Sequence, residues 1–265
     1  MIPEVFSLPA EPGRESEDAC AIGAGIGVVV DGAGLPKMMR RGCSHSVAWY
    51  ARMLAEELRM RLESRLASMT DALAGAIAEV TAAHAGTCDL TQGSPSATVA
   101  AWRIRGEEVE HLVLCDASIV LVRRDGSARE ITDDRITAAV QTRAEALASA
   151  AGIATATGEM RFAALDAARN VGGGFWCAHV DPDAAQHALT GRTPIEELRA
   201  VVAASDGATR GFQLVGAHTL HDFAALAADG DLAQIAADVR TAEDARGVPP
   251  FTKPHDDIAL VVARF

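Results

Sequence analysis

Two apolar segments that lie far apart in the chain both stop at an Asp-Gly dipeptide. They are residues 28–32 (VVVDG) and residues 201–207 (VVAASDG). A short apolar run is typical of a buried β-strand, and Asp-Gly is typical of the turn that follows one. Each segment therefore predicts a carboxylate at the point where a strand leaves the core, and two such strand ends can share a metal ion.

Two further acidic pairs stand next to apolar runs. Asp256-Asp257 directly precedes the run 258–262, and Glu17-Asp18 precedes the run 19–22. Carboxylates that come from both ends and from the middle of a chain, each beside a strand, suit a site for a hard cation, which prefers oxygen ligands. We therefore expect a cation site built from strand ends.

The hydrophobic periodicity changes several times along the chain. Runs bounded by turn residues predict strands near 5–8, 19–23, 26–30, 97–104, 109–115, 118–122, 175–180, 199–205 and 257–264. Apolar spacings of three and four predict a long helix from Val47 to Leu66 and a second over 73–80, with Thr70 or Asp71 as its N-cap.

A third helix is predicted over 133–151, and two alanine-rich helices between 219 and 245. The order of these elements is not a βαβ alternation, so we expect an α+β fold with mainly antiparallel sheets. Two sheets with helices outside them would bury every apolar face. No repeat or linker divides the sequence, which predicts one domain over residues 1–265.

Charge and cysteine content restrict the class of protein. The chain has 24 basic and 36 acidic residues, a net charge of −12, and such a surface repels nucleic acid and anionic lipid. The five cysteines are scattered, and no apolar stretch is long enough to span a membrane. We expect a cytoplasmic protein in a reducing compartment, with neither nucleic acid nor membrane as partner.

Three other site types are weakly supported. Residues 23–27 (GAGIG) lack the third glycine and the helix of a dinucleotide-binding loop, and Ser94 and Ser205 lack the context of a serine hydrolase nucleophile. Residues 43–45 (CSH) and 218–221 (HTLH) each offer two zinc ligands. Neither has a matching second pair in the sequence, so the sequence does not favour zinc.

Considered together, the acidic motifs resemble the PPM family of metal-dependent protein serine/threonine phosphatases, the type 2C class. The resemblance runs nearly from end to end. The matching motifs are Arg14 before Glu17-Asp18, Asp31-Gly32-Ala33-Gly34, Gly93-Ser94-Pro95-Ser96-Ala97, Cys115-Asp116-Ala117, Ser205-Asp206-Gly207 and Asp256-Asp257-Ile258-Ala259. It implies a four-layer αββα sandwich of two mainly antiparallel sheets flanked by helices.

The same resemblance implies two Mg²⁺ or Mn²⁺ ions between the sheets. Asp31 would bridge the ions, Asp206 and Asp256 would complete one of them, and Glu17 with the carbonyl of Gly32 would complete the other. Two divalent ions lower the pKa of a water molecule between them and polarise a phosphoryl oxygen. The implied activity is hydrolysis of a phosphoserine or phosphothreonine protein, or of a small phosphoester.

The remaining positions of the pattern concern water, phosphate and a third ion. The resemblance implies that Asp18 holds a water molecule on a metal and that Arg14 pairs with the substrate phosphate. Asp116 would help to bind a third metal, but its usual partner, an aspartate, is Arg210 here. That substitution favours the alternative of a catalytically weak domain that binds a phosphoprotein or a regulator. The glycine-rich loop 169–176 is a candidate rim for the substrate.

Overall fold

The structure is a computed structural model that describes residues 2–33, 40–64, 66–246 and 253–265. The strands formed within these ranges are β1 (Glu4–Leu8), β2 (Ala19–Gly23), β3 (Ile26–Ala33), β4 (Ser96–Arg105), β5 (Glu108–Leu114), β6 (Ser118–Arg123), β7 (Ala128–Ile131), β8 (Leu189–Pro194), β9 (Leu198–Ala204) and β10 (Ile258–Arg264). The α-helices are α1 (Val47–Glu63), α2 (Met69–Ala85), α3 (Arg135–Ala150), α4 (Gly158–Ala168), α5 (Asp206–Gln213), α6 (Leu220–Asp229) and α7 (Leu232–Arg246).

The strands form two antiparallel sheets of five strands each. One has the order β1-β10-β9-β6-β7 and the other β2-β3-β4-β5-β8. Their inner faces share a core that includes Val29, Trp102 and Val261, and the indole nitrogen of Trp102 donates to the Val261 carbonyl 3.4 Å away on the opposite sheet. The two sheets are therefore packed face to face.

Helices cover the outer face of each sheet. Leu54 of α1 and Ile77 of α2 pack on the second sheet, and Phe223 of α6 and Val239 of α7 pack on the first. The predicted αββα sandwich is thus confirmed. Helices α3 and α4 pack on each other and stand beside the sandwich. Among the described residues, every helix is too short or too polar to traverse a lipid bilayer.

The boundaries of the first two helices differ from the prediction. Helix α1 ends at Glu63, and Leu66, which was expected to extend its apolar stripe, is 96% exposed. Helix α2 begins earlier than predicted because Ser68, and neither Thr70 nor Asp71, is the N-cap. The Ser68 hydroxyl accepts a hydrogen bond from the Asp71 backbone N–H at 3.0 Å, which satisfies one of the free donors of the first turn.

The segment between α3 and β9 differs most. Residues 175–180, predicted as a strand, form no strand, and Ala178 makes an isolated bridge with Ala97. Two elements there were not predicted. Helix α4 starts at the N-cap Thr157, and β8 pairs with β5 at the edge of the second sheet. Helix α5, which directly follows β9, was not predicted either.

Candidate metal centre

The acidic residues of β3 and β9 meet at one edge of the sandwich. Side chains alternate along a strand, so Asp31 shares the inner face of β3 with the core residue Val29. Asp206 follows β9 and opens α5. Its backbone N–H donates to Asp31 Oδ2 at 3.1 Å, although the two residues are 175 positions apart in sequence. The two Asp-Gly segments are therefore joined directly.

A cavity of about 250 Å³ lies at this edge. Its lining includes all five residues that were predicted to hold the paired ions: Glu17, Asp31, Gly32, Asp206 and Asp256. The apolar part of the wall comes from α3, α4 and the loop that follows, so the α3–α4 pair forms one side of the opening. Gly34 of the Asp-Gly-x-Gly motif lies outside the described residues.

The glycine of each Asp-Gly pair allows another acidic segment to approach. A Cβ atom at Gly32 would lie 2.1 Å from the Glu17 carbonyl oxygen, and one at Gly207 would lie 1.9 Å from the Asp257 carbonyl oxygen. Both distances are far below van der Waals contact. The glycines therefore set how close the chain segments that carry Glu17 and Asp256 can come to Asp31 and Asp206.

Asp257, the second residue of the acidic pair before β10, holds the N-terminal acidic segment in place. It is buried, and its Oδ1 and Oδ2 accept backbone hydrogen bonds from Ala10 and Glu17, each at 2.7 Å. Ser205, which precedes Asp206, is also linked to β10, because its hydroxyl accepts a hydrogen bond from the Ala259 N–H at 2.9 Å. These contacts lock Glu17 and Asp206 to the start of β10.

The carboxylates are buried together and repel one another. Burial raises the pKa of Asp31 well above its usual range, and the charges of Asp18 and Asp206 raise it further. Burial likewise raises the pKa of Asp18, which the charges of Asp206 and Asp257 reinforce. Asp18 does not line the cavity, and its buried Oδ2 has no hydrogen-bond partner among the described residues. This oxygen is therefore a buried, unsatisfied acceptor outside the cavity wall.

Asp116 belongs to the same electrostatic cluster. Burial, together with the charge of Asp206, raises the pKa of Asp116 to about 7. It follows Cys115, whose φ of 67° is uncommon for a residue other than glycine and turns the chain between β5 and β6. Asp116 is not part of the cavity wall described above.

Two basic side chains lie close to Asp256, one of the acidic residues of the cluster. Lys253 Nζ lies 2.9 Å from Asp256 Oδ1. Burial lowers the pKa of Lys253, but the charge of Asp256, the hydrogen bond to Asp256 and the charges of Glu17 and Asp31 together raise the pKa above its ordinary value. Arg210 forms an ion pair of 2.8 Å with the buried Glu243 and lies 3.9 Å from Asp256 Oδ2. The Arg210 side chain thus lies between Glu243 and the acidic cavity.

The arginine expected to bind phosphate is not in this cavity. The Arg14 side chain is 60% exposed, lies 3.7 Å from Glu11, and lines an adjoining cavity that shares Glu17 and Lys253 with the first. Arg169 lines the acidic cavity instead. It is buried, and its Nε has no hydrogen-bond partner within the described ranges.

Sequence reasoning placed Arg169 in a possible substrate rim but gave no role to its charge, and it did not identify Lys253. The one available signal for Arg169 was its position at the start of the glycine-rich loop.

The donor set fits hard divalent cations. Among the residues that the structure describes, the cavity wall offers carboxylate oxygens from both sheets and no thiol or imidazole other than the thiols of Cys115 and Cys177, whose pKa values burial raises. Oxygen ligands of this kind suit Mg²⁺ and Mn²⁺. Divalent ions would also relieve the repulsion that raises the pKa values of the carboxylates.

Comparisons with known proteins agree with this geometry. The family model for protein phosphatase 2C matches residues 12–238. A search of curated protein sequences finds no match.

The fold is similar to that of the serine/threonine phosphatase Stp1 from Staphylococcus aureus, with 14% identity, coverage of 100% of this chain and 95% of that chain, and a TM-score of 0.60. It is also similar to the serine/threonine phosphatase PstP/Ppp of Mycobacterium tuberculosis, with 14% identity, coverage of 100% and 99%, and a TM-score of 0.58. The catalytic domain of PstP in complex with two manganese ions is 15% identical, with coverage of 100% and 99% and a TM-score of 0.57.

Proposed function

Because the chain belongs to the protein phosphatase 2C family, we propose that it hydrolyses phosphoserine and phosphothreonine monoesters with the help of two Mg²⁺ or Mn²⁺ ions. The observation that carries this proposal is the convergence of Glu17, Asp31, Asp206 and Asp256 on one cavity between the sheets. The two manganese ions in the similar PstP catalytic domain support the choice of cofactor.

In this proposal the carboxylates of the cavity supply the ligands. Asp31 with Asp206 and Asp256 would hold one ion, and Asp31 with Glu17 and the Gly32 carbonyl would hold the other. When bound, the ions lower the pKa of water and polarise the phosphoryl oxygens. The protein then needs no nucleophilic side chain of its own.

The other side chains orient the reactants. With ions bound, the unpartnered Oδ2 of Asp18 would accept a hydrogen bond from a water molecule at the centre, which requires this side chain to turn towards the cavity. The unpartnered Nε of Arg169 donates to a phosphate oxygen. Arg14, which is exposed beside the adjoining cavity, is placed to contact the part of the substrate that extends away from the phosphate.

Arg210 is the observation that favours the second candidate, a catalytically weak domain that binds a phosphoprotein or a regulator. The resemblance to the family places a carboxylate at this position. Here a guanidinium lies 3.9 Å from Asp256 Oδ2 instead. In this second candidate, the positive charge of Arg210 beside Asp256 would oppose binding of an additional cation and so reduce turnover.

The test is hydrolysis of p-nitrophenyl phosphate with added Mn²⁺ or Mg²⁺, followed by phosphopeptides that carry phosphoserine, phosphothreonine or phosphotyrosine. We expect metal-dependent turnover that Asp31→Asn abolishes. The matched control is Asp229→Asn, which alters an exposed aspartate paired with Arg199 outside the site and should leave turnover unchanged.

The two candidates give different results in this assay. Turnover that persists in Asp31→Asn would show that the acidic cavity is not the active site. Binding of a phosphopeptide without turnover by the wild type would support the second candidate. In that case Arg210→Asp, which restores the carboxylate of the family pattern, should raise activity.

A further inference from the structure

Four side chains outside the acidic cavity form a second cluster of metal-binding groups. Cys43 and His45 lie in the loop before α1, His84 lies in the last turn of α2, and Cys88 follows that helix. One ligand atom from each residue lies within 4.8 Å of all the others. The pair 43–45, which lacked a partner in the sequence, has one in three dimensions.

The distances within this Cys₂His₂ cluster match those of a tetrahedral site. Cys88 Sγ lies 3.4 Å from Cys43 Sγ and 3.3 Å from His45 Nδ1. Cys43 Sγ lies 3.6 Å from His45 Nδ1 and 3.5 Å from His84 Nδ1. Tetrahedral zinc bonds of about 2.3 Å to sulfur and about 2.0 Å to nitrogen separate a sulfur–nitrogen pair by about 3.5 Å and a sulfur–sulfur pair by about 3.8 Å. The three sulfur–nitrogen distances fit this geometry, and binding of zinc would move the two sulfur atoms slightly apart.

We propose that the Cys₂His₂ cluster is a structural zinc site. Two thiolates and two imidazoles are a borderline-soft donor set that suits zinc and does not suit Mg²⁺ or Mn²⁺. Four protein ligands complete a tetrahedron and leave no position for a substrate, so the site stabilises the fold and takes no part in hydrolysis. The proposal does not depend on the phosphatase activity.

The surrounding structure holds the ligands in place. The Asp89 N–H donates to the Gly42 carbonyl at 2.8 Å, so the segments that carry Cys43 and Cys88 are joined beside the cluster. The His45 ring packs on Trp49 with 4.0 Å between ring centroids, and the His84 ring lies 5.3 Å from the same indole. These contacts order both imidazoles before any ion binds.

The four ligands differ in burial, so the cluster is accessible to a metal ion from one side. Cys43 and His84 are buried, whereas His45 and Cys88 are half-buried. An ion can therefore approach past His45 and Cys88 and reach the inner two ligands. Once bound, it would connect the segment after β3 to the end of α2, two parts of the chain that precede and follow the first helical hairpin.

The experiment measures the metal content of the full chain in the Asp31→Asn background, where the acidic cavity cannot hold its ions in the proposed way. We expect inductively coupled plasma mass spectrometry to find about one zinc ion per chain after dialysis. Cobalt substitution should give the visible absorption and thiolate charge-transfer bands of tetrahedral cobalt, and should quench the fluorescence of Trp49.

Cys88→Ser is the decisive variant because Cys88 is half-buried and can be replaced without a cavity in the core. It should lower zinc affinity by more than the roughly 10–100-fold that loss of an outer-shell partner costs. Cys20→Ser is the matched control, since Cys20 is also half-buried but lies on β2 outside the cluster, and it should retain zinc.

The proposal is overturned if the wild-type cluster retains no zinc and gives no cobalt–thiolate bands. It is also overturned if Cys88→Ser retains as much zinc as Cys20→Ser. A Cys43–Cys88 disulfide in protein purified under reducing conditions would likewise contradict it, because the short distance between the two sulfur atoms would then serve a covalent bond and not a metal.

Discussion

Replacing Asp257 by asparagine tests whether the hydrogen bonds from Ala10 and Glu17 to the start of β10 position the proposed metal centre. The Asp257 carboxylate accepts backbone hydrogen bonds from Ala10 and Glu17, each at 2.7 Å. An asparagine keeps one acceptor oxygen and presents an NH₂ group to the other N–H. One charge-assisted hydrogen bond is lost, and two donors face each other in a buried position.

The magnitude follows from that loss. A hydrogen bond to a charged group contributes about 1.5–3 kcal/mol, so the free energy of unfolding should fall by about that amount. For a chain of 265 residues the melting temperature should fall by roughly 3–5 °C. Glu17 should also lose its fixed position, so we expect Mn²⁺ to bind about ten times more weakly, a change of about 1.4 kcal/mol.

The assay combines thermal unfolding with Mn²⁺ titration, both followed by circular dichroism or fluorescence. The matched control is Asp222→Asn, because the Asp222 carboxylate also accepts a backbone hydrogen bond, at 3.0 Å from Thr219, but at the start of α6. The control should lose some stability and no Mn²⁺ affinity. If Asp257→Asn is destabilised but binds Mn²⁺ as the wild type does, the positioning argument is refuted.

Three further outcomes are expected. Arg169→Ala should raise the KM for a phosphorylated substrate about tenfold and leave Mn²⁺ affinity unchanged, since the buried Nε of Arg169 is free to bind phosphate; steady-state kinetics would contradict this if KM stays constant. Gly207→Ala should lower the free energy of unfolding by about 1–3 kcal/mol in urea denaturation, because its Cβ would lie 1.9 Å from a carbonyl oxygen, whereas Gly86→Ala, with open space, should not. In EDTA, the protein should become more stable as the pH falls from 8 towards 5, because Asp116, with a pKa of about 7 in the folded state against 3.8 ordinarily, binds a proton there that the unfolded chain lacks. A melting temperature that rises with pH over this range in metal-free protein would contradict the last prediction.

Most strands could be predicted because their apolar runs end at turn residues. The predicted runs near 19–23 and 26–30 became β2 and β3 since both faces of that hairpin are covered. Strand β8 escaped prediction because it is a mostly exposed edge strand with a polar sequence. Residues 175–180 were wrongly predicted to form a strand. This apolar segment is buried under α3 and α4 and, within the described chain, pairs with no strand beyond the isolated bridge of Ala178 with Ala97.

The acidic cavity was predictable where a motif marks the turn, as at Asp31 and Asp206. The contributions of Arg169 and Lys253 were not, because isolated charged residues in loops carry no spacing signal. The Cys₂His₂ cluster was also hidden. His84 and Cys88 stand four positions apart and were overlooked as a second pair, and nothing in the sequence joins them to residues 43–45. That contact appears only when α2 packs beside the loop of Cys43.

The pairing of β1 with β10 has a consequence for how the protein is made. Glu17 and Asp257, which are hydrogen-bonded in the folded chain, are 240 positions apart. A ribosome therefore releases the first acidic residues long before the strand that fixes them has been synthesised. A nascent chain in which β10 has not yet been synthesised therefore lacks both the pairing partner of β1 and the acceptor for the Glu17 N–H, so the proposed metal centre cannot assemble.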